Sequence, residues 1–254
     1  LKSIKMRLFL RRKFHPLLNL HFVRDGLINT NKGFILCKFK QENRIGEEEF
    51  FESILRELKL LPIYTMTKPL EGGDFLHTHD FAIIGSSPWP FGSDIQGAIE
   101  LVESGVLDYP MIGVIENPYV PKGMTPKDMI HIDMWLNIPS RRIAVTNLQI
   151  ATKTKIRLYN LNNKREDYTT VLNFLKFHKY KIVEATLEDI KHLAVNFLPI
   201  GNKMIIYCSR SMMLKKRLRQ NGFRVITPKT PLDRLFLGVG GIRCITQPLI
   251  QDGI

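Results

Sequence analysis

The chain has 254 residues, 44% of them hydrophobic and 24% charged, a composition that excludes disordered and collagen-like polymers and allows a core that needs no disulfides. Lys and Arg number 37 against 24 Asp and Glu, a formal charge of +13, which favours anionic partners or serves solubility alone. No run approaches the roughly eighteen apolar residues of a membrane helix, and three cysteines without CxxC spacing, Cys37, Cys208 and Cys244, imply neither a disulfide framework nor a zinc cage.

The N-terminal stretch opens basic, and its apolar piece around Met6 to Leu10 is cut by Arg11, Arg12 and Lys13, too short for a secretory h-region. A cytoplasmic protein is therefore expected. Apolar runs over 27–30 and 34–39 flank Asn31-Lys32-Gly33 and predict a hairpin. A helix is expected over 47–60, where Phe50, Phe51, Ile54, Leu55 and Leu58 fall on one side and Glu47, Glu48 and Glu49 complement the dipole of the first turn. Strands follow over 63–67, 74–77 and 81–85, then a helix over 94–104 and a strand over 111–115. The second half predicts strands over 132–136, 143–146 and 156–159, a helix over 169–178 and a strand over 181–185. Helix 187–198, strand 203–208, helix 212–219 and strand 223–227 precede a glycine-rich ending. No low-complexity linker divides the chain, so a single domain over 1–254 is expected. The alternation predicts an α/β fold of four or five helix-bearing units, with a doubly wound sheet as the other arrangement it allows.

Four segments carry candidate chemistry. In Asn19-Leu20-His21-Phe22-Val23-Arg24-Asp25, polar side chains interleave with apolar ones before the hairpin. Leu70-Glu71-Gly72-Gly73-Asp74 places two glycines between carboxylates, where the missing Cβ atoms permit a sharp turn or close approach of a ligand. His131-Ile132-Asp133 is an i, i+2 pair that shares one face if it lies on a strand. Gly238-Val239-Gly240-Gly241-Ile242-Arg243-Cys244-Ile245-Thr246 sets a thiol after a glycine-rich loop. Taken singly, each reads as a turn or a small buried hydrophobe.

Taken in order, Asn…Phe…Asp, Glu-Gly-Gly-Asp, His-x-Asp and Gly-Gly-x-x-Cys resemble the guanidino-group-modifying superfamily, and within it the arginine deiminases, from Asn19 to Thr246. The resemblance implies a pentein fold, a five-bladed α/β propeller of ββαβ units with the active site in the central channel. The interval from Glu71 to His131 is too short for the helical insertion typical of arginine deiminases. The resemblance further implies Cys244 as nucleophile, His131 as general acid/base, Glu71 as its carboxylate partner, and Asp25 and Asp133 as the pair that holds a guanidinium. It requires no metal and no organic cofactor. Asn19, Phe22, Arg44, Asp74, Trp89 and Arg243 are the expected substrate-binding residues, with Arg44 a partner for a substrate carboxylate. Five residues before the thiol, where the family carries an arginine, stands Val239, and another expected arginine is replaced near Ser87-Pro88-Trp89.

The implied partner is a small guanidino compound, arginine or a derivative, hydrolysed to a ureido product and ammonia. Amidinotransferases and arginine dihydrolases share this catalytic set. A basic nucleic-acid binder is a reading of another class, motivated by Lys215, Lys216, Arg217 and Arg219 on one expected helix, but no nucleic-acid motif accompanies them. A catalytically impaired pentein kept as a binding module is a third. His77 and His79 are read as a polar hairpin rather than metal ligands, Trp135 as a core residue, and Cys37 and Cys208 as buried and inert. The residues give no membrane partner and do not specify an oligomeric state.

Overall fold

The computed structural model describes residues 17–87, 89–90, 92–160, 165–229, 232 and 238–249; the basic N-terminal stretch and Pro88 lie outside them. The fold is α/β, and one pattern recurs four times in the order strand, strand, helix, strand. In the first unit β1 (Leu27–Asn29) pairs antiparallel with β2 (Phe34–Leu36), which pairs in parallel with β3 (Tyr64–Thr65) beyond a helix at Glu47–Glu57. In the second, β4 (Phe75–His77) and β5 (Phe81–Gly85) are antiparallel, and β6 (Met111–Ile115) returns parallel to β5 after a helix at Ile95–Glu103. The third repeats this with β7 (Leu136–Ser140), β8 (Ile143–Thr146) and β11 (Lys181–Glu184), and the fourth with β12 (Leu198–Pro199), β13 (Met204–Ile206) and β14 (Arg224–Ile226) around a helix at Met212–Gln220.

The third unit carries more than the others between its second and third strands. Helices at Leu148–Lys153 and Val171–Phe177 bracket an antiparallel hairpin of β9 (Lys155–Asn160) and β10 (Arg165–Thr170), and β9 pairs with the free edge of β6 in the second unit. That pairing extends the second sheet to five strands in the order β10-β9-β6-β5-β4. Burial follows the same division. One apolar cluster fills the second to fourth units around Phe81, Trp135, Phe174, Phe197 and Tyr207, a second joins the first two units through Ile28, Ile35, Leu70, Ile84 and Leu101, and a third sits under the first helix at Phe51 and Leu55.

The structure corrects several expectations. The segment 132–136 is not a strand: Ile132–Met134 forms a single 3-10 turn, because the Ile132 N–H donates to Asp74 Oδ1 (2.9 Å) and the Met134 and Trp135 N–H groups bond back to His131 and Ile132. β7 begins only at Leu136. The helix over 187–198 ends at Lys191, where Leu193 turns left-handed (φ 53°) and the Asn137 side chain takes the carbonyls of Val195 (2.8 Å) and Phe197 (2.9 Å) out of helical pairing. Thr169 and Thr170 belong to β10, and Thr170 caps the helix that starts at Val171. On the first helix Phe50 and Leu58 face solvent, so only Phe51 and Leu55 of the expected stripe are buried. Cys37 and Trp135 are buried, whereas Cys208 is half-buried, its thiol pushed up to about 11 by that burial. His77 lies on β4, its Nδ1 sharing a 2.8 Å hydrogen bond with Tyr109 Oη.

Candidate active site

The segments that carry the candidate residues occupy one equivalent place in the repeat, the turn just before each unit's first strand. Asp25 lies in a four-residue helix at Val23–Gly26 that runs into β1; Glu71 to Asp74 forms a 3-10 turn before β4; His131 to Asp133 leads to β7; and Asn196 precedes β12. These segments touch in cyclic order. Gly72 packs on the carbonyls of Arg24 and Leu27, so that a Cβ there would lie 2.1 Å from Arg24 O, and a Cβ on Gly73 would lie 2.6 Å from His131 Nδ1. The Asn196 side chain donates to Asp133 O (3.4 Å) and accepts from the Arg243 N–H (3.1 Å), and the Arg24 N–H closes the ring on Cys244 O (3.0 Å). The glycines are thus needed for close approach of neighbouring segments of the same chain rather than of a ligand. Gly240 is the same case, since its Cβ would enter the Phe22 ring.

Around this ring the ionisable groups converge. His131 Nε2 shares a 3.0 Å hydrogen bond with Glu71 Oε2 and its Nδ1 lies 3.6 Å from Asp25 Oδ1. All three side chains are buried, and their ligating atoms lie within 4.8 Å of one another. Burial alone would lower the His131 imidazole, but Asp25, the Glu71 hydrogen bond and Asp74 raise it well above its ordinary value. The imidazolium is therefore the favoured form near neutrality.

Cys244 is buried, and its Sγ–H donates to Asn196 Oδ1 (3.5 Å). Desolvation, then the charges of Asp133 and Asp25, push its thiol well above the ordinary range. Asp133, fully buried, is raised by desolvation and held down by Arg243, whose Nε is 3.3 Å from Asp133 Oδ2. Arg24 is buried with its Nε donating to Arg243 O (3.3 Å) and is lowered to about 9 by burial and by the like charge of Arg243.

Arg44 departs from expectation. It is 3% exposed and turned inward, with Nη1 at 3.0 Å from Asp25 Oδ2 and 3.2 Å from Glu71 Oε2, Nε and Nη2 on Glu47 Oε2, and the guanidinium over the Phe39 ring. Three buried carboxylates need a counter-charge, and a cation so committed is not available to a substrate carboxylate. Asp74 is likewise a structural anchor: it fixes the Ile132 N–H, and burial pushes its carboxyl up to about 7. The carbonyl of Asn19 accepts from the Phe22 N–H, and the Phe22 ring backs Gly240. Trp89 is half-buried on the loop after β5, its N–H on Ser87 Oγ. A metal ion on Asp25, Glu71 and His131 would have to displace Arg44 and break the Glu71–His131 bond.

Asn196 is the site residue that sequence reasoning missed. A lone Asn between Val195 and Phe197 in an apolar stretch gives no motif, and only the fold brings it to the thiol.

A chain with this ring is matched by the arginine deiminase family over residues 9–251. The chain belongs to the arginine deiminase family. An arginine deiminase of Borrelia garinii subsp. bavariensis is 24% identical over 263 residues, covering 94% of this chain and 62% of that protein, so the chain spans about 62% of the length of the relative it matches. Its fold is similar to that of the N-terminal domain of ArgZ, an arginine dihydrolase from cyanobacteria solved with product (TM-score 0.70, 17% identity, 98% of this chain and 84% of that one). A dimethylarginine dimethylaminohydrolase variant solved as an adduct with S-methyl-L-thiocitrulline is also similar (TM-score 0.65, 18% identity, 89% of this chain and 75% of that one). Among the described residues no helix is long and apolar enough to cross a membrane.

Proposed function

We propose that the chain is a guanidino-group hydrolase that converts arginine or an arginine derivative to a ureido product and ammonia. The observation that carries this reading is a set of buried carboxylate oxygens on the ring of segments that holds the thiol, Asp25 Oδ1, Glu71 Oε1 and Asp133 Oδ1, without hydrogen-bond donors from the described residues. Buried acceptors of this kind call for a donor-rich cation, and a guanidinium is planar, permanently charged and supplies N–H groups in a fork that carboxylates grip bidentately.

In this reading Asp25 and Asp133 hold the guanidinium with its central carbon facing Cys244 Sγ. The bound cation offsets the two carboxylates that otherwise keep the thiol protonated, so on substrate binding the thiol releases its proton to water and becomes the nucleophile. The thiolate attacks the carbon, the C–N bond to a terminal nitrogen breaks as the His131 imidazolium gives that nitrogen a proton, and ammonia leaves. A thiouronium stays on Cys244. Neutral His131, held by Glu71, then takes a proton from water as its oxygen adds to the carbon, and collapse breaks the C–S bond to release the ureido product. The scaffold proposed for this site is the five-bladed pentein propeller as a single catalytic domain, supported by four like units and by the cyclic contact of the segments before β1, β4, β7 and β12 with the Cys244 segment.

With Arg44 committed inward and Val239 five residues before the thiol, the proposal places specificity in the guanidinium rather than in the carboxylate of free arginine. Incubation with L-arginine, agmatine, methylated arginines and a peptidyl arginine, followed by assays for ammonia, ureido product and ornithine, tests it. Equal amounts of ammonia and ureido product are expected. Two ammonias with ornithine would assign dihydrolase chemistry, and no product from any of the four would refute the hydrolase.

A further inference from the structure

The hairpin added to the third unit builds a second cavity. Along β9, Ile156 and Leu158 enter the core while Lys155, Arg157 and Tyr159 share the other face, as strand alternation requires. Tyr168 on β10 stands opposite Arg157 in register, with the Arg157 guanidinium 5.3 Å from its ring centre. The loop after β6 forms the facing wall and is held in place: Ser86 Oγ donates to Glu116 O, the Tyr119 N–H donates to Thr154 Oγ1 (3.0 Å), and Lys153 Nζ donates to Tyr119 Oη (3.3 Å) while lying 4.6 Å from its ring centre. Together they border a half-open cleft of about 550 Å³, within the size range of small-ligand sites.

The lining has a definite chemistry. Among the described lining residues, Lys153, Lys155 and Arg157 face a single acid, Glu116, which pairs with Arg157. Lys153 and Lys155 pair with no carboxylate among the described residues, and the lining carries two aromatic rings, Tyr119 with Lys153 over it and Tyr168 with Arg157 over it. Arg157 Nε is buried with no hydrogen-bond partner among the described residues. The cavity is separate from the thiol site: in register, Arg157 pairs with Val114, Val114 with Ile84 and Ile84 with Phe75, the residue after Asp74. Three strand spacings are about 14 Å.

We propose that this cavity binds a nucleoside phosphate, its phosphoryl oxygens beside Lys153 and Lys155 and its base on the tyrosine faces. A bare phosphate would use the cations but not the rings, and an uncharged aromatic would leave the cations unmatched. Cations with stacking aromatics satisfy both parts of a nucleotide.

Titration of the chain with N-methylanthraniloyl-ATP, with competition by ATP, AMP and inorganic triphosphate, tests the proposal. Saturable binding is expected, with ATP competing at least about tenfold better than triphosphate, since stacking of one base is worth that much. Lys155→Ala and Tyr168→Ala should each weaken binding about tenfold or more, Tyr168→Phe should keep it because the ring face is retained, and Cys244→Ser should leave it unchanged. Tyr168 is 56% exposed and Lys155 is exposed, so these variants fold. Absence of saturable binding, triphosphate competing as well as ATP, an unaffected Tyr168→Ala variant, or loss of binding in Cys244→Ser would each overturn it.

Discussion

Cys244 sits among groups that oppose its ionisation, and this makes its thiolate a measure of the site. Burial and the charges of Asp133 and Asp25 hold the thiol high in the free protein, while an opposite charge within a few ångströms lowers such a value by about 1–3 units. Titration of absorbance at 240 nm, with Cys244→Ser as the blank, should show no thiolate until above the ordinary thiol range, and an alkylguanidine should move the midpoint down by about 1 unit or more. A low midpoint in the free protein, or one unmoved by the ligand, would contradict the clamp. Asp74 gives a second titration. Its carboxyl is raised by burial to about 7, so its contribution to stability is full below the unfolded value and is lost as pH rises through about 7. Urea denaturation of wild type and Asp74→Asn across pH 4–8 should show wild type losing a few kcal/mol relative to the variant over that window; a flat difference would show that the buried acid is not strained. At this scale the motifs Glu-Gly-Gly-Asp, His-x-Asp and Gly-Gly-x-x-Cys were visible in the sequence because each keeps its residues within a few positions, while the roles given to them belong to the proposal. The inward turn of Arg44 was not, since its partners Asp25 and Glu71 lie 19 and 27 residues away and only folding brings those charges together.

Among the elements, the turns before the first strands decide the site more than the strands do. The 3-10 turn at Ile132–Met134 replaces the strand that alternation suggested, because the Asp74 carboxyl captures the Ile132 N–H; a hydrogen bond spanning 58 residues leaves no trace in local periodicity. The strands 81–85, 111–115 and 143–146 were legible residue for residue, since short apolar runs bounded by polar residues suit only buried strands here. β10, rich in charged and Thr residues, was missed for the opposite reason. The turn carrying Glu71 offers a direct test. A Cβ on Gly73 would meet His131 Nδ1 at 2.6 Å, so Gly73→Ala must displace the imidazole from Glu71 and Asp25. Overpacking of this kind costs about 1–3 kcal/mol, and turnover should fall by about a hundredfold, the lower range for loss of an acid/base group. Chemical denaturation and ammonia release check the two parts, and a variant with unchanged turnover would remove His131 from the reaction.

For the whole molecule, four repeats of one pattern place four turns around a common centre, and the Cys244 segment completes the circle by bonding to Asn196 and Arg24. This explains why residues from 25 to 244 meet at one point although no two motifs are neighbours in sequence. The repeat was visible as a rhythm, but its cyclic closure was not, because it depends on backbone contacts such as Gly72 on Arg24 O. The surplus of +13 has no part in the ring, where cations and carboxylates are interleaved; part of it lines the cavity beneath the added hairpin. The central claim, a covalent bond between Cys244 and a guanidinium carbon, is tested most directly by acid-quenching the protein during incubation with L-arginine or agmatine and mapping its peptides by mass spectrometry. The account predicts an N-alkylthiouronium adduct, the mass of the substrate minus ammonia, on the Cys244 peptide alone, with no adduct and no ammonia from Cys244→Ser. Ammonia release undiminished in that variant, or an adduct on Cys37 or Cys208 instead, would contradict it.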